Sequence, residues 1–186
     1  MTVAGLLLAA GEGRRFGGPK ALAVGDDGET WVRRRAMTLV DGGCSPVVVV
    51  IGAAAPQVAA ELAGLGLLAV TAENWQEGMG ASLRAGLDVV TDLAEPPDAV
   101  LVALVDTPGL TPEVVARLVA CAGDDVLAQA TYDGEPGHPV LIGHRHWAGV
   151  RAVAVGDRGA RDYLASRSVT QVECGDVGEG LDIDRR

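Results

Sequence analysis

The sequence predicts an α/β fold in which strands are sandwiched between helices. Two observations carry that prediction: apolar, β-branched runs alternate along the chain with amphipathic stretches, and the first run ends in a glycine-rich loop. Val3–Leu8 is the first strand, apolar throughout and closed by Ala9-Ala10-Gly11. Val47–Ile51, Leu67–Val70 and Ala99–Val105 follow as strands. Between them Glu29–Val40, Pro56–Ala63 and Ala81–Val90 have helical spacing, and Thr111 before Pro112 and Glu113 predicts the N-cap of a fourth helix. The resulting β-α-β-α-β-α-β-α order implies parallel strands with ligand-binding loops at the carboxyl edge of the sheet. Beyond Gly123 the pattern changes. Asp125–Thr131, a turn at Asp133-Gly134 and Pro139–Ile142 predict an antiparallel pair that shapes the site of a second substrate.

Composition limits what such a fold can do. With 186 residues, 48% hydrophobic and 22% charged, the chain has enough apolar material for one domain spanning residues 1–186. Twenty-five acidic residues against fifteen Lys and Arg give a net charge of −10. That balance argues against general nucleic-acid binding, whose affinity comes from neutralising phosphates. No apolar run approaches the roughly 18 residues of a membrane span. No Lys or Arg precedes the first run, so it reads as a strand and not as a leader. A cytoplasmic protein with no membrane partner is expected. Cys44, Cys121 and Cys174 are odd in number and far apart, the pattern of reduced thiols and not of a disulfide framework or a zinc cluster.

The segment from Leu8 to Leu22, LAAGEGRRFGGPKAL, carries the strongest chemical signal. Glycines at 11, 13, 17 and 18 let backbone N–H groups approach an anion, and Arg14, Arg15 and Lys20 add positive charge. Two common phosphate loops do not fit it. A dinucleotide fingerprint from Gly11 needs glycine where Phe16 stands, and a P-loop from Gly13 meets Pro19, then Ala21 where Ser or Thr should follow Lys20.

Asp106 ends an apolar run and precedes Thr107-Pro108, which places its carboxylate at the carboxyl end of a strand. Such a carboxylate either starts a turn or, beside a phosphate loop, suffices with phosphates and water to hold Mg²⁺. Asp182-Ile183-Asp184 sends two carboxylates to one side of an extended segment, either as a further ligand source or as an acidic tail. Asn74 to Arg84 joins a strand to a helix and combines glycine with polar and aromatic groups that suit a base, Asn74 and Ser82 being the candidate contacts. Gly137-His138-Pro139 and Gly156-Asp157-Arg158-Gly159-Ala160-Arg161 are further compact polar turns. His138, His144 and His146 form no i, i+4 metal pair, and the spacings imply no Ser-His-Asp or Cys-His set.

Taken in order, LAAGEGRRFGGPKAL, NWQEGMGASLRAGL, LVDTPGLT, GHPVLI, GDRGARDYL and DID resemble the MobA-like nucleotidyltransferases, and most closely the molybdenum cofactor cytidylyltransferase branch. The resemblance spans nearly the whole length. It implies a single three-layer α/β/α Rossmann-like domain with a mixed, mostly parallel sheet. It also implies that Leu8, Ala9, Ala10, Gly11 and Gly13 hold a nucleotide, Lys20 and Arg15 its phosphates, and Asp106 a Mg²⁺ ion with Asp184 as second ligand. Gly137, His138 and Pro139 become the candidate contacts of a phosphorylated small-molecule acceptor, molybdopterin in this branch, and a molybdoenzyme client is implied as a partner. Guanylyltransferases of the wider family tend to read LAGG where this chain reads Leu8-Ala9-Ala10-Gly11, so CTP is the implied donor. Relatives continue DID with Thr-Pro and an acid, whereas Arg185 and Arg186 follow here. Nicotine blue oxidoreductases share similar GHPVLI and GDRGAR segments, and imply a second reading with a flavin or nicotinamide nucleotide in the same loop. A nucleotide-binding partner of a molybdoenzyme, without turnover, is a third.

Overall fold

The computed structural model describes residues 1–183, and Asp184 lies outside the described residues. Seven strands form one sheet: β1 (Val3–Leu8), β2 (Val47–Ile51), β3 (Leu68–Thr71), β4 (Ala99–Leu104), β5 (Leu127–Tyr132), β6 (Glu135–Gly143) and β7 (Thr170–Glu173). Their order across the sheet is β3-β2-β1-β4-β6-β5-β7. β1 pairs in parallel with β2 and β4, β2 with β3, and β5 with β7, while β6 runs antiparallel to both its neighbours. The sheet is therefore mixed and mostly parallel, as expected.

Every residue of β1, β2 and β4 is buried. That is why these strands read as unbroken apolar runs and not as alternating ones: helices cover both faces. Alternate residues divide between two cores. Leu7, Val49 and Leu101 pack on one side with α1 (Trp31–Asp41), α2 (Ala55–Leu62) and α4 (Pro112–Val119). Leu6, Val50 and Val102 pack on the other with α3 (Met79–Thr91), α5 (Trp147–Val153) and α6 (Arg161–Ala165). The three layers follow from that division.

Local signals explain the boundaries. Thr111 caps α4 through its hydroxyl, which accepts from the Val114 N–H at 3.3 Å and donates to the Val177 carbonyl at 2.8 Å. One side chain thus starts a helix and holds the C-terminal segment. Asp133 and Gly134 both take positive φ, 52° and 82°, as a two-residue hairpin turn requires. β6 begins at Glu135, four residues before the expected start, because pairing resumes at once after this turn and a register shift between Gln129 and Thr131 accommodates the irregularity. Sequence analysis assigns no element after Ile142, and α5, α6 and β7 are additions. α6 has five residues and β7 is a mostly exposed edge strand, so neither carries a periodic apolar signal. α5 is held by Trp147, whose indole donates to the Ile142 carbonyl at 2.9 Å.

Leu101 is fully buried between the layers, whereas Leu68 on the edge strand is 41% exposed. Leu101→Ala is expected to cost about 2–5 kcal/mol of unfolding free energy. Leu68→Ala should cost about 0.5 kcal/mol or less. Urea unfolding followed by circular dichroism measures both.

Candidate active site

β1 and β4 are neighbours with Leu8 opposite Leu104, so the loops that leave their carboxyl ends emerge side by side. The first loop is rooted by backbone bonds: the Ala9 N–H donates to Val50 and the Val105 N–H to Leu8, at 2.9 and 3.2 Å, and the Ala10 carbonyl accepts from Ala53 at 2.9 Å. It then turns tightly around one carbonyl. Gly13 accepts from the N–H groups of Phe16, Gly17 and Gly18 at 2.9, 2.9 and 3.2 Å. Gly13 has φ +62°, and a Cβ there would stand 1.9 Å from the Gly18 carbonyl oxygen, so only glycine closes this turn. Phe16 is buried and packs on Trp31 of α1, ring centroids 5.3 Å apart. The residue that breaks the dinucleotide fingerprint is the apolar anchor of a different loop. No hydrogen bond among the described residues uses the N–H groups of residues 11 to 15, which leaves them available to an anion.

Pro19 leads into a single 3₁₀ turn, Lys20–Leu22, whose buried Ala21 fixes the direction of Lys20. The Lys20 ammonium donates to Asp106 Oδ2 at 2.7 Å, with the two side chains 14% and 21% exposed. Asp106 sits in a loop that is tied down on both sides. The Thr107 hydroxyl donates to the Leu104 carbonyl at 2.8 Å, the Leu110 N–H to Thr107 at 3.2 Å, and the Ile183 N–H to the Asp106 carbonyl at 3.0 Å. From α1, the buried Arg35 donates to the Leu110 carbonyl at 3.3 Å. Burial, aided by the neighbouring Arg34, pushes the Arg35 guanidinium down to about 10, and its Nε has no partner. A buried cation with a single carbonyl ligand is an expensive way to pin a loop.

A cavity of ≈ 410 Å³ opens between these loops and the start of α3. Gly78 precedes α3 with φ +107°, and a Cβ on it would meet Asp157 Oδ1 at 2.5 Å, so α3 docks directly on the 154–157 segment. A second cavity of ≈ 480 Å³ adjoins it, and Leu8, Met79, Leu104 and Asp157 line both. In the second, burial and the nearby Arg161 hold His138 below the ordinary imidazole range, against the opposing influence of the Val102 backbone and Asp106.

Residues 5–172 match the MobA-like NTP transferase domain. The chain belongs to this family. It is 37% identical to a nicotine blue oxidoreductase of Paenarthrobacter nicotinovorans, across 98% of this chain and 92% of that protein. It is 32% identical to a molybdenum cofactor guanylyltransferase of Rhodobacter capsulatus across 66% of this chain and 60% of the relative. The crystal structure of Rv0371c from Mycobacterium tuberculosis H37Rv superposes with a TM-score of 0.81 at 25% identity, covering 100% of this chain and 94% of that one. Rv0371c has also been solved as a manganese complex. The relative named for the molybdenum cofactor is a guanylyltransferase, not a member of the cytidylyl branch that the motifs resemble.

In this MobA-like chain, Leu8, Ala10, Gly11, Gly13, Lys20, Ser82 and Asp106 all line the first cavity. Ala9 does not, because its N–H is spent on β2 and its side chain is buried. Arg15 does not line the cavity; Arg14, exposed and paired with Glu12, does. Asn74 does not line it either, whereas the half-buried Trp75 and the exposed Gln76 of the following 3₁₀ turn do. Gly137 and His138 line the second cavity, and Pro139 is buried outside it. Asp184 lies outside the described residues, but Asp182 lines the second cavity and Ile183 is bonded to Asp106. Sequence reasoning missed Arg35, placed by a contact distant in the chain, and Gln129, placed by a contact across the β5–β6 hairpin.

If Arg35 pins the Asp106 loop, Arg35→Met should release it without loosening the sheet. The expected outcome is amide hydrogen exchange about tenfold faster at Leu110, from loss of a charged hydrogen bond. The amides of β1 and β4 should keep their protection.

Proposed function

We propose that this chain transfers a cytidylyl group from CTP to the phosphate of molybdopterin, or its metal-loaded form, with Mg²⁺ and release of pyrophosphate. The observation that carries this reading is the Lys20–Asp106 pair at 2.7 Å in a cavity walled by a glycine loop with uncommitted N–H groups. An acceptor phosphate oxygen attacks the α-phosphorus, the bond from that phosphorus to the bridging oxygen breaks, and pyrophosphate leaves. The acceptor phosphate is already ionised at neutral pH, so no general base is needed, and the chain's work is to position and neutralise charge. Lys20 would contact the leaving phosphates, and the loop N–H groups would bind their oxygens. The adjoining second cavity would seat the acceptor.

Asp106 fits a divalent cation. It is a carboxylate at a strand's carboxyl end, in the cavity and beside a phosphate loop, and Mg²⁺ needs only one or two such ligands besides phosphates and water. No set of three or more His, Cys, Asp or Glu side chains among the described residues is arranged to hold a metal, so the substrate's phosphates would complete the coordination. When bound, the ion would supply Lewis-acid stabilisation of charge on the transferring phosphoryl group.

Ala10 supports CTP over GTP. It lines the cavity at the position where LAGG sequences have glycine, and the added methyl would leave less room there for a purine. A second reading is favoured by the 37% identity to a nicotine blue oxidoreductase over almost the whole chain: a nicotinamide or flavin nucleotide in the same cleft, with no metal at Asp106.

Pyrophosphate release with CTP, Mg²⁺ and molybdopterin tests the proposal. Asp106→Ala is expected to lower turnover by at least about a hundredfold, in the range of a lost electrostatic stabiliser. Undiminished turnover would remove the metal role. Ala10→Gly should shift the kcat/KM ratio toward GTP by about tenfold, the value of a methyl-sized change in a pocket. An unchanged ratio would mean that residue 10 does not read the base.

A further inference from the structure

The second cavity carries chemistry that the GHP segment alone does not supply. It lies between the sheet and the helices, with Val102, Leu104 and Val140 on the sheet side and Leu83 and Leu164 on the helix side. Such walls suit an apolar, flat body. Polar side chains line the cavity as well, and two of them, Gln129 and Arg161, are placed to meet a ligand. Gln129 of β5 donates from Nε2 to the Gly137 carbonyl at 3.0 Å. A carbonyl only accepts, so this bond fixes the orientation of the amide and leaves Oε1 as the group that Gln129 presents. No donor among the described residues meets it.

Arg161, the first residue of α6, is exposed at the cavity and forms no hydrogen bond or ion pair among the described residues. Its neighbour Arg158 is different, held by both oxygens of Asp162 at 3.0 Å. In a chain with ten more acids than Lys and Arg, an uncommitted guanidinium beside a cavity has a charge to meet. His138 cannot supply that charge, because an imidazole is either neutral or cationic. Of the carboxylates in the lining, Asp157 stands where the two cavities meet and Asp182 has a contact of its own.

We infer that Arg161 and Gln129 determine specificity in this cavity: Arg161 binds an anionic arm, and Gln129 Oε1 accepts from an N–H on the edge of a flat heterocycle. The inference rests on reading the second cavity as the seat of the second substrate. It does not depend on the reaction carried out there.

Fluorescence titration with FMN and pterin-6-carboxylate tests it, against riboflavin and pterin as the same rings without the anion. The wild-type chain should prefer each anionic probe by about tenfold, equivalent to about 1.4 kcal/mol. Arg161→Gln should abolish the preference, and Arg161→Lys should restore part of it. Gln129→Leu should weaken anionic and neutral probes alike. Lys20→Met and Asp106→Ala should change neither, so triphosphate binding that persists undiminished in those variants would count against nucleotidyl transfer and leave the cavity assignment standing. Three results would overturn the inference: no binding of either anionic probe at millimolar concentration, a preference that survives Arg161→Gln, or a preference abolished by Lys20→Met, which would locate the probe in the first cavity.

Discussion

The ion pair between Lys20 and Asp106 is the constraint on which the site depends. Its partners are 86 residues apart in sequence and 2.7 Å apart in space. Both side chains are largely withdrawn from solvent, and a withdrawn charge is tolerated only with a close partner. The architecture around the pair delivers that closeness. β1 and β4 are adjacent, parallel and in register up to Leu8 and Leu104, so their exit loops start at one level. Gly13 then folds the first loop back on itself, Phe16 fastens it to α1, and Ala21 aims the lysine. On the other side Thr107, Leu110, Arg35 and Ile183 fix the loop that holds the aspartate. In the proposed reaction the ammonium would meet phosphates and the carboxylate a cation.

Much of this was legible in the sequence because it depends on local pattern. Doubly covered strands write themselves as runs such as VVVVI, and glycine with cations after such a run marks a loop at the carboxyl edge. What sequence could not resolve was phase. Which of two adjacent arginines borders the cavity, and whether Asn74 or its neighbours Trp75 and Gln76 do, is decided by one residue of rotation in a short turn. No periodic signal reaches that precision. Arg35 and Gln129 were hidden for another reason. Their partners are the Leu110 and Gly137 carbonyls, and a backbone acceptor leaves no trace in residue identity. The C-terminal third was poorly legible because its elements are short and its strand β7 lies at an exposed edge.

Two adjoining cavities that share four lining residues give the fold a division of labour. The first is bounded by the glycine loop, by the Lys20–Asp106 pair and by Trp75, Met79 and Ser82 from the start of α3 and the turn before it. The second is bounded by side chains from β4, β5, β6, α3 and the segment around α6. The same chain is similar both to a molybdenum cofactor guanylyltransferase and to a nicotine blue oxidoreductase, so the fold alone does not fix the reaction.

Calorimetric titration of the wild-type chain with CTP and with NADH, each with and without Mg²⁺, bears most directly on the Lys20–Asp106 site. The account predicts CTP binding that is strong with the ion and weak without it, because Asp106 and the phosphates must hold the cation together. NADH binding indifferent to Mg²⁺, with no heat from CTP under either condition, would contradict it and make the oxidoreductase reading the correct one.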